Sequence, residues 1–267
     1  MIPKQIFTYW QGQPNEDVER SISSWKKELG YEVIVLTRAD VPRNTVTDLL
    51  ARRSTQALSD WVRLWVLHSR GGLWIDATFF INVGEQLRNL VAAADRWDSQ
   101  LLGYSSWGLQ LDRRFPVVES WLLGAPKASA LVLSWLHEFE LAAMMGFAEY
   151  RRFIESQGID PQKVYQVVSG NYLTIHACLQ AVLQRNPRLV SELALEFAER
   201  GPFQLHINCG WDSYCIGREL ADKADLYPMI KICGRDRGWR NKIQKARNVL
   251  PFFVVALLLF AIVALYT

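Results

Sequence analysis

Apolar and polar positions along this chain fall into blocks that switch between two periods. QIFTYW (5–10) is short, aromatic and β-branched, reads as a strand, and stops at the turn residues of QGQPN. EDVERSISSWKKEL (16–29) repeats its apolar residues at helical spacing, and YEVIVL (31–36) reads as a buried strand. The pattern predicts a short helix near 45–51, a longer one over 55–69 and, after Gly71-Gly72, the strand LWID (73–76). Strand, helix, strand, helix, helix, strand is the rhythm of an α/β domain with a mostly parallel sheet. Farther on, QLLGYSS and SWLLGA read as strands, whereas 129–145 and NYLTIHACLQAVLQ (171–184) read as helices. The second half is therefore expected to be mainly helical. No internal repeat or low-complexity linker divides the chain.

The helix over 55–69 is apolar on nearly every face, which is the pattern of a helix buried on most sides. Asp60 and Arg63 are the only charges between Gln56 and Leu67, and their i, i+3 spacing places them together. Two readings stand: a structural ion pair, or a pair pointing into a polar pocket that binds a ligand's hydroxyls. Gly71 and Gly72 let the chain turn sharply into the next strand. Asp76 then falls at that strand's carboxyl end, the edge where open α/β sheets bind ligands. A carboxylate there suits ribose hydroxyls or a hard divalent cation.

At 267 residues, half of them hydrophobic and 21% charged, the chain is long enough for a sizeable core and has globular composition. Its eleven tryptophans are many, and such rings fill cores as well as line carbohydrate and nucleotide pockets. The net charge of +3 is unevenly spread. Residues 231–248 carry seven basic side chains and one acid, or +6, which leaves −3 for the rest. A nucleic-acid binder wears its basic charge across the folded domain, so a nucleic-acid partner is not expected.

The basic segment leads into VLPFFVVALLLFAIVALY (249–266), 18 residues without a charge. As a helix it spans about 27 Å, close to the hydrocarbon thickness of a bilayer. Lys242, Lys245 and Arg247 lie just before it, and basic flanks stay on the cytoplasmic side. The expectation is a single-pass C-terminal membrane anchor over 246–267, with residues 1–245 as one domain in the cytoplasm. The first residues hold no apolar stretch long enough for a signal peptide. Cys178, Cys209, Cys215 and Cys233 lack C-x-x-C spacing and are expected as free thiols. His206, Cys209 and Cys215 have zinc-ligand chemistry but no paired ligand motif, so a zinc site is not expected.

The segment LSDWVRLWVLHSRGGLWIDATFF (58–80) resembles the S-D-x-x-R-x-x-x-L-x-x-x-G-G-x-[YW]-x-D core of the DXD-containing glycosyltransferases. It is most similar to the capsular polysaccharide synthesis branch, where the acidic motif often reads D-A-T. IPKQIFTYWQG resembles that group's opening, NYLTIHACLQAVLQRNP its aromatic-x-x-x-His helix, and YPMIKI its C-terminal lysine-bearing segment. The resemblance implies a GT-A type, Rossmann-like nucleotide-sugar-binding fold. It further implies transfer of a sugar from a nucleoside diphosphate to a glycan or lipid-linked acceptor, with retention. By the same resemblance Trp10 stacks on the base, with Phe7 and Tyr9 lining that slot. Asp60 and Arg63 hold the sugar hydroxyls, and Asp76 contacts ribose and a Mn²⁺ or Mg²⁺ ion. Lys231 lies near the diphosphate, and His176 near the sugar or acceptor. Gly71, Gly72, Thr78 and Asn171 complete the expected substrate-binding set.

Thr78 departs from the fuller D-x-D pattern, because a hydroxyl is a poorer direct metal ligand than a carboxylate. Glu119, Asp112 and Asp212 read as ordinary surface acids. The alternative function is a non-catalytic, membrane-tethered nucleotide-sugar or glycan binder. A glycoside hydrolase would require a facing pair of carboxylates, and the sequence offers no convincing one.

Overall fold

The computed structural model of the chain describes residues 1–167 and 170–236. The expected anchor over 246–267 lies outside the described residues. Among those described, no single helix is long and apolar enough to cross a membrane.

The strands are β1 (Gln5–Tyr9), β2 (Glu32–Leu36), β3 (Gly72–Ile75), β4 (Phe79–Ile81), β5 (Leu101–Ser105), β6 (Val118–Ala125), β7 (Leu193–Phe197) and β8 (Met229–Lys231). The helices are α1 (Glu16–Leu29), α2 (Thr45–Arg53), α3 (Thr55–Arg70), α4 (Glu85–Arg96) and α5 (Ala130–Met145) in the first part of the chain. They continue as α6 (Phe147–Ser156), α7 (Val164–Val167), α8 (Thr174–Arg185), α9 (Gln204–Asn208) and α10 (Ser213–Asp222). The main sheet has the order β2-β1-β3-β6-β5-β7, and β4 pairs with β8 separately. Only β6 runs antiparallel to its neighbours in the main sheet. The α/β class and the mostly parallel sheet therefore stand as expected.

Side-chain alternation divides the interior into two cores. Phe7, Trp74, Leu101 and Leu123 face α3, α5 and α8. Ile6, Leu73, Ile75, Leu102 and Leu122 face α1 and α4. A sheet covered on both faces reads as a continuous apolar run, which is why LWI and SWLLGA lack polar alternation. Trp25 of α1 is fully buried and donates its indole N–H to the Phe79 carbonyl at 2.6 Å, tying α1 to β4. Truncating a side chain so placed costs about 3–5 kcal/mol.

Several elements differ from expectation, among them β2, β7 and α4. β2 is not buried: it forms the sheet's edge, and Val35 is 36% exposed. β7 lies in a segment rich in Leu, Ala and Glu, strong helix formers, but parallel pairing along β5 overrides that preference. α4 has no counterpart among the predicted elements. It caps the second core with Leu87, Leu90, Val91 and Ala94.

Cys209 and Cys215 form a disulfide, contrary to the expectation of four free thiols. The turn between α9 and α10 brings their Cα atoms to 5.5 Å, an ordinary disulfide span. Neither Cys178 nor Cys233 takes part in a disulfide.

Candidate functional site

Parallel pairing of β1 with β3, with Phe7 opposite Trp74, places Tyr9, Trp10 and Asp76 at one edge of the sheet. α3 begins beside that edge with Ser54 as its N-cap, accepting from the Ala57 N–H, so its first turns carry Asp60 and Arg63 to Asp76. Arg63 Nη2 lies 2.8 Å from Asp60 Oδ1 and 3.5 Å from Asp76 Oδ1. Arg63 also donates to the Ser120 carbonyl, and its guanidinium sits 5.1 Å from the Trp74 ring centre. From β8, Lys231 Nζ donates to Asp76 Oδ2 at 2.9 Å and to Thr78 Oγ1 at 3.2 Å. The Trp74 indole N–H donates to Asp76 Oδ1 at 3.0 Å. The ion-pair reading of Asp60 and Arg63 is what the structure shows: the two pair with each other, and Arg63 also reaches Asp76. Asp60, Arg63 and Lys231 are buried, while the Asp76 side chain keeps 22% of its surface open.

The acids of this network are driven apart. Burial pushes Asp60 up to about 7, against the lowering pull of Arg63 and with help from the Asp76 charge. Burial also acts upward on Asp76, but the Lys231 and Arg63 charges and the hydrogen bonds from Lys231 and Trp74 outweigh it, bringing Asp76 to about 2. His176, on α8, is buried, and that burial together with Arg63 lowers it to about 4, so the ring is neutral at pH 7. Its Nε2 stands 3.9 Å from Glu119 Oε2.

Glu119 is a correction. The sequence reads it as a surface acid, yet it lies on β6 with 8% exposure. Burial raises it to about 7; the Glu199 and Asp76 charges add to the rise, and Trp121 and Lys231 oppose it. Asp112 and Asp212 are the local residues expected: Asp112 pairs with Arg114, and Asp212 caps α10 by accepting from the Cys215 N–H. Glu119 was legible only through VESWLLGA being a strand buried on both faces, since a carboxylate inside such a run needs a purpose.

The remaining expected residues divide. Asp60, Arg63, Asp76, Thr78, His176 and Lys231 converge. Trp10 lies at the same sheet edge, partly buried, with its indole N–H donating to the Gln13 carbonyl at 3.3 Å. Tyr9 is buried, and its hydroxyl accepts from Gln11. The Phe7 side chain belongs to the core, so only its main chain is placed to line a slot. Asn171 sits in the turn that opens α8, where its carbonyl accepts from Thr174. The next residue's carbonyl, on Tyr172, accepts from Gln56, which itself donates to Asp60. Gly71 and Gly72 are elsewhere, at the opposite end of β3, with Gly72 about 13 Å from Asp76 at strand rise. Their role is steric. A Cβ on Gly71 would lie 2.6 Å from the Lys127 nitrogen, and one on Gly72 2.7 Å from the Gln5 carbonyl oxygen.

The expected Mn²⁺ or Mg²⁺ does not fit these residues. Asp76 is the one carboxylate offered at the motif, and both its oxygens are engaged, by Trp74 and Arg63 on one side and Lys231 on the other. Thr78 accepts from Lys231 and donates to the Ile232 carbonyl at 3.3 Å. A hard cation takes several oxygen ligands, and the Lys231 ammonium occupies the position from which one would bind Asp76 Oδ2.

No curated protein matches the sequence. Among solved structures, one titled PaToxG Glycosyltransferase aligns over 90% of this chain and 84% of its own, at 14% identity and a TM-score of 0.44. The capsular polysaccharide synthesis protein family matches residues 1–134, half of the chain and all of the segment from β1 to Asp76. By that match, the chain belongs to the capsular polysaccharide synthesis protein family.

Proposed function

We propose that the protein is a glycosyltransferase that moves a sugar from a nucleoside-diphosphate donor to a glycan or lipid-linked acceptor at a membrane. One observation carries this reading: a partly open carboxylate at the carboxyl end of β3, held between Lys231 and Arg63, with buried Asp60 beside them. The donor's ribose lies against Asp76, its base against Trp10, and its sugar hydroxyls against Asp60 and Arg63. In the transfer, the bond from the anomeric carbon to the diphosphate breaks with its electron pair leaving on oxygen. The acceptor hydroxyl oxygen bonds that carbon, and its proton passes to the departing phosphate.

The transition state is oxocarbenium-like, as in glycoside hydrolysis. Charge grows on the departing diphosphate, so a fixed cation there stabilises the transition state more than the ground state. Lys231 supplies that cation. Arg63 and Asp60, locked by burial and mutual pairing, orient the sugar at little further entropic cost. Retention at the anomeric carbon is carried over from the resemblance of residues 58–80 to the DXD-containing transferases. The C-terminal apolar run and its basic flank support placement at the cytoplasmic face of a membrane. On this placement the Cys209–Cys215 pair is reduced in the cell and closes on exposure to air.

The test is a panel of nucleotide sugars offered to the full-length protein, with Mn²⁺, with Mg²⁺ and with EDTA, beside Asp76→Asn. Slow release of one nucleoside diphosphate, retained in EDTA and lost in the variant, supports the reading and names the donor. Binding without release, even with membrane extract as acceptor, assigns a non-catalytic binder. If no donor binds, Asp60, Arg63 and Asp76 are a buried polar network only.

A further inference from the structure

Three metal-ligating side chains, one from α9 and two from the turn that follows β8, come together. His206 comes from α9, Cys233 follows β8 by two residues, and Asp236 lies in the turn Gly234–Asp236. One ligand atom from each falls within 4.8 Å of the others. His206 Nε2 and Asp236 Oδ2 are 3.5 Å apart, and both residues are sealed from solvent, at 0% and 1% exposure. Tetrahedral bonds of about 2.0–2.1 Å set two nitrogen or oxygen ligands about 3.4 Å apart, so this pair already has the separation of an edge of a zinc tetrahedron.

The surroundings orient the ligands. The Asp236 backbone N–H donates to the Cys233 carbonyl at 3.0 Å, a turn that brings the thiol and the carboxylate to one side. The Ser213 hydroxyl donates to Asp236 Oδ1 at 2.5 Å, and Oδ2 is the oxygen on the His206 side. The imidazole packs against the rings of Trp211 and Phe203, which also touch each other, with centres 4.9 and 5.7 Å away. A hydrogen bond to the second oxygen of a ligating carboxylate is the usual outer support of a metal site. Thiolate, imidazole and carboxylate together favour zinc over magnesium or calcium. Cys209 and Cys215, which with His206 were not expected to form a zinc site, are joined to each other.

We propose that His206, Cys233 and Asp236 bind one Zn²⁺ ion, with water as the fourth ligand. The ion fastens the chain after β8 to α9. Lys231 lies two residues before Cys233, so the same clip steadies the strand that presents the ammonium to Asp76. The metal ligands are not donor-site residues, and the site does not rest on the proposed transfer.

The test uses full-length protein, stripped with a chelator and titrated with Co²⁺ under anaerobic, reducing conditions. The expected result is one equivalent bound with a near-ultraviolet thiolate-to-cobalt charge-transfer band and the intense visible bands of a four-coordinate site, displaced by Zn²⁺. Cys233→Ser abolishes the charge-transfer band, whereas a Cys209→Ser/Cys215→Ser double variant and Asp76→Asn keep it. Ser213→Ala keeps the band and weakens affinity by about 10–100-fold. Wild-type protein that binds Co²⁺ without that band, or not at all, overturns the proposal. So does a band that survives Cys233→Ser. Because the wild-type spectrum is itself decisive, a variant that fails to fold does not rescue the idea.

Discussion

Replacing Lys231 with methionine keeps most of the side chain's volume and removes the ammonium that holds Asp76. Asp76 is lowered from 3.8 to about 2 by neighbours among which Lys231 is the largest. That lowering corresponds to roughly 2 kcal/mol of preference for the ionised carboxylate. Removing one member of a buried pair costs about 3–5 kcal/mol. Here Asp76 is 22% open to water and retains Arg63, which limits the loss to about 2 kcal/mol at pH 7. The sign follows from the depressed value: the stability from Asp76 is present above about pH 4 and is lost as pH falls toward 2. Urea unfolding of Lys231→Met, Asp76→Asn and the double variant at pH 7 closes a cycle. The expected coupling is about 2 kcal/mol, well outside the roughly 0.5 kcal/mol within which independent sites add. Additive single effects would refute the idea that these groups act as a pair. In the donor-release assay, loss of one fixed charge at the leaving group lowers kcat by about 100-fold or more.

Other outcomes follow from the same geometry. Gly72→Ala forces a side chain onto a φ of +99° and against the Gln5 carbonyl, so it destabilises by about 2 kcal/mol or more in urea, and an unchanged midpoint would refute the steric role. Glu119 is raised from 4.5 to about 7, so its contribution to stability is full below about pH 4.5 and is lost as pH rises through 7. Glu119→Gln therefore gains about 3 kcal/mol on wild type between pH 5 and pH 8, and parallel pH profiles would contradict the buried acid. Deleting residues 246–267 leaves donor release intact but slows transfer to the native acceptor, unless that acceptor is soluble. Alkylating the purified protein after denaturation without reductant labels two of the four cysteines, Cys178 and Cys233, whereas acid-quenched cells yield four.

Much of this site was legible because its residues are local anomalies. Asp60 and Arg63 are charges in an apolar helix, and Asp76 is a charge at the end of an apolar strand, so burial alone demands a purpose for each. Lys231 and His176 became visible only through resemblance. Their contacts cross 155 residues to Asp76 and 57 to Glu119, and no local period encodes such pairings. Glu119 was misjudged because a strand covered on both faces gives its polar member no alternation to stand out from. β7 was missed because its partner, β5, and not its own propensity, makes it a strand. The cluster of His206, Cys233 and Asp236 spans a fold-back of the chain, and only the structure brings it together.

The central claim is that the Asp76 network performs sugar transfer and is not merely buried structure. The most direct measurement is single-turnover release of nucleoside diphosphate from the donor named by the panel. It compares wild type with Asp60→Asn and Asp76→Asn, all folded by circular dichroism and melting within a few degrees. The account predicts a fall of about 100-fold or more in each variant. Release at the wild-type rate by either folded variant would contradict it.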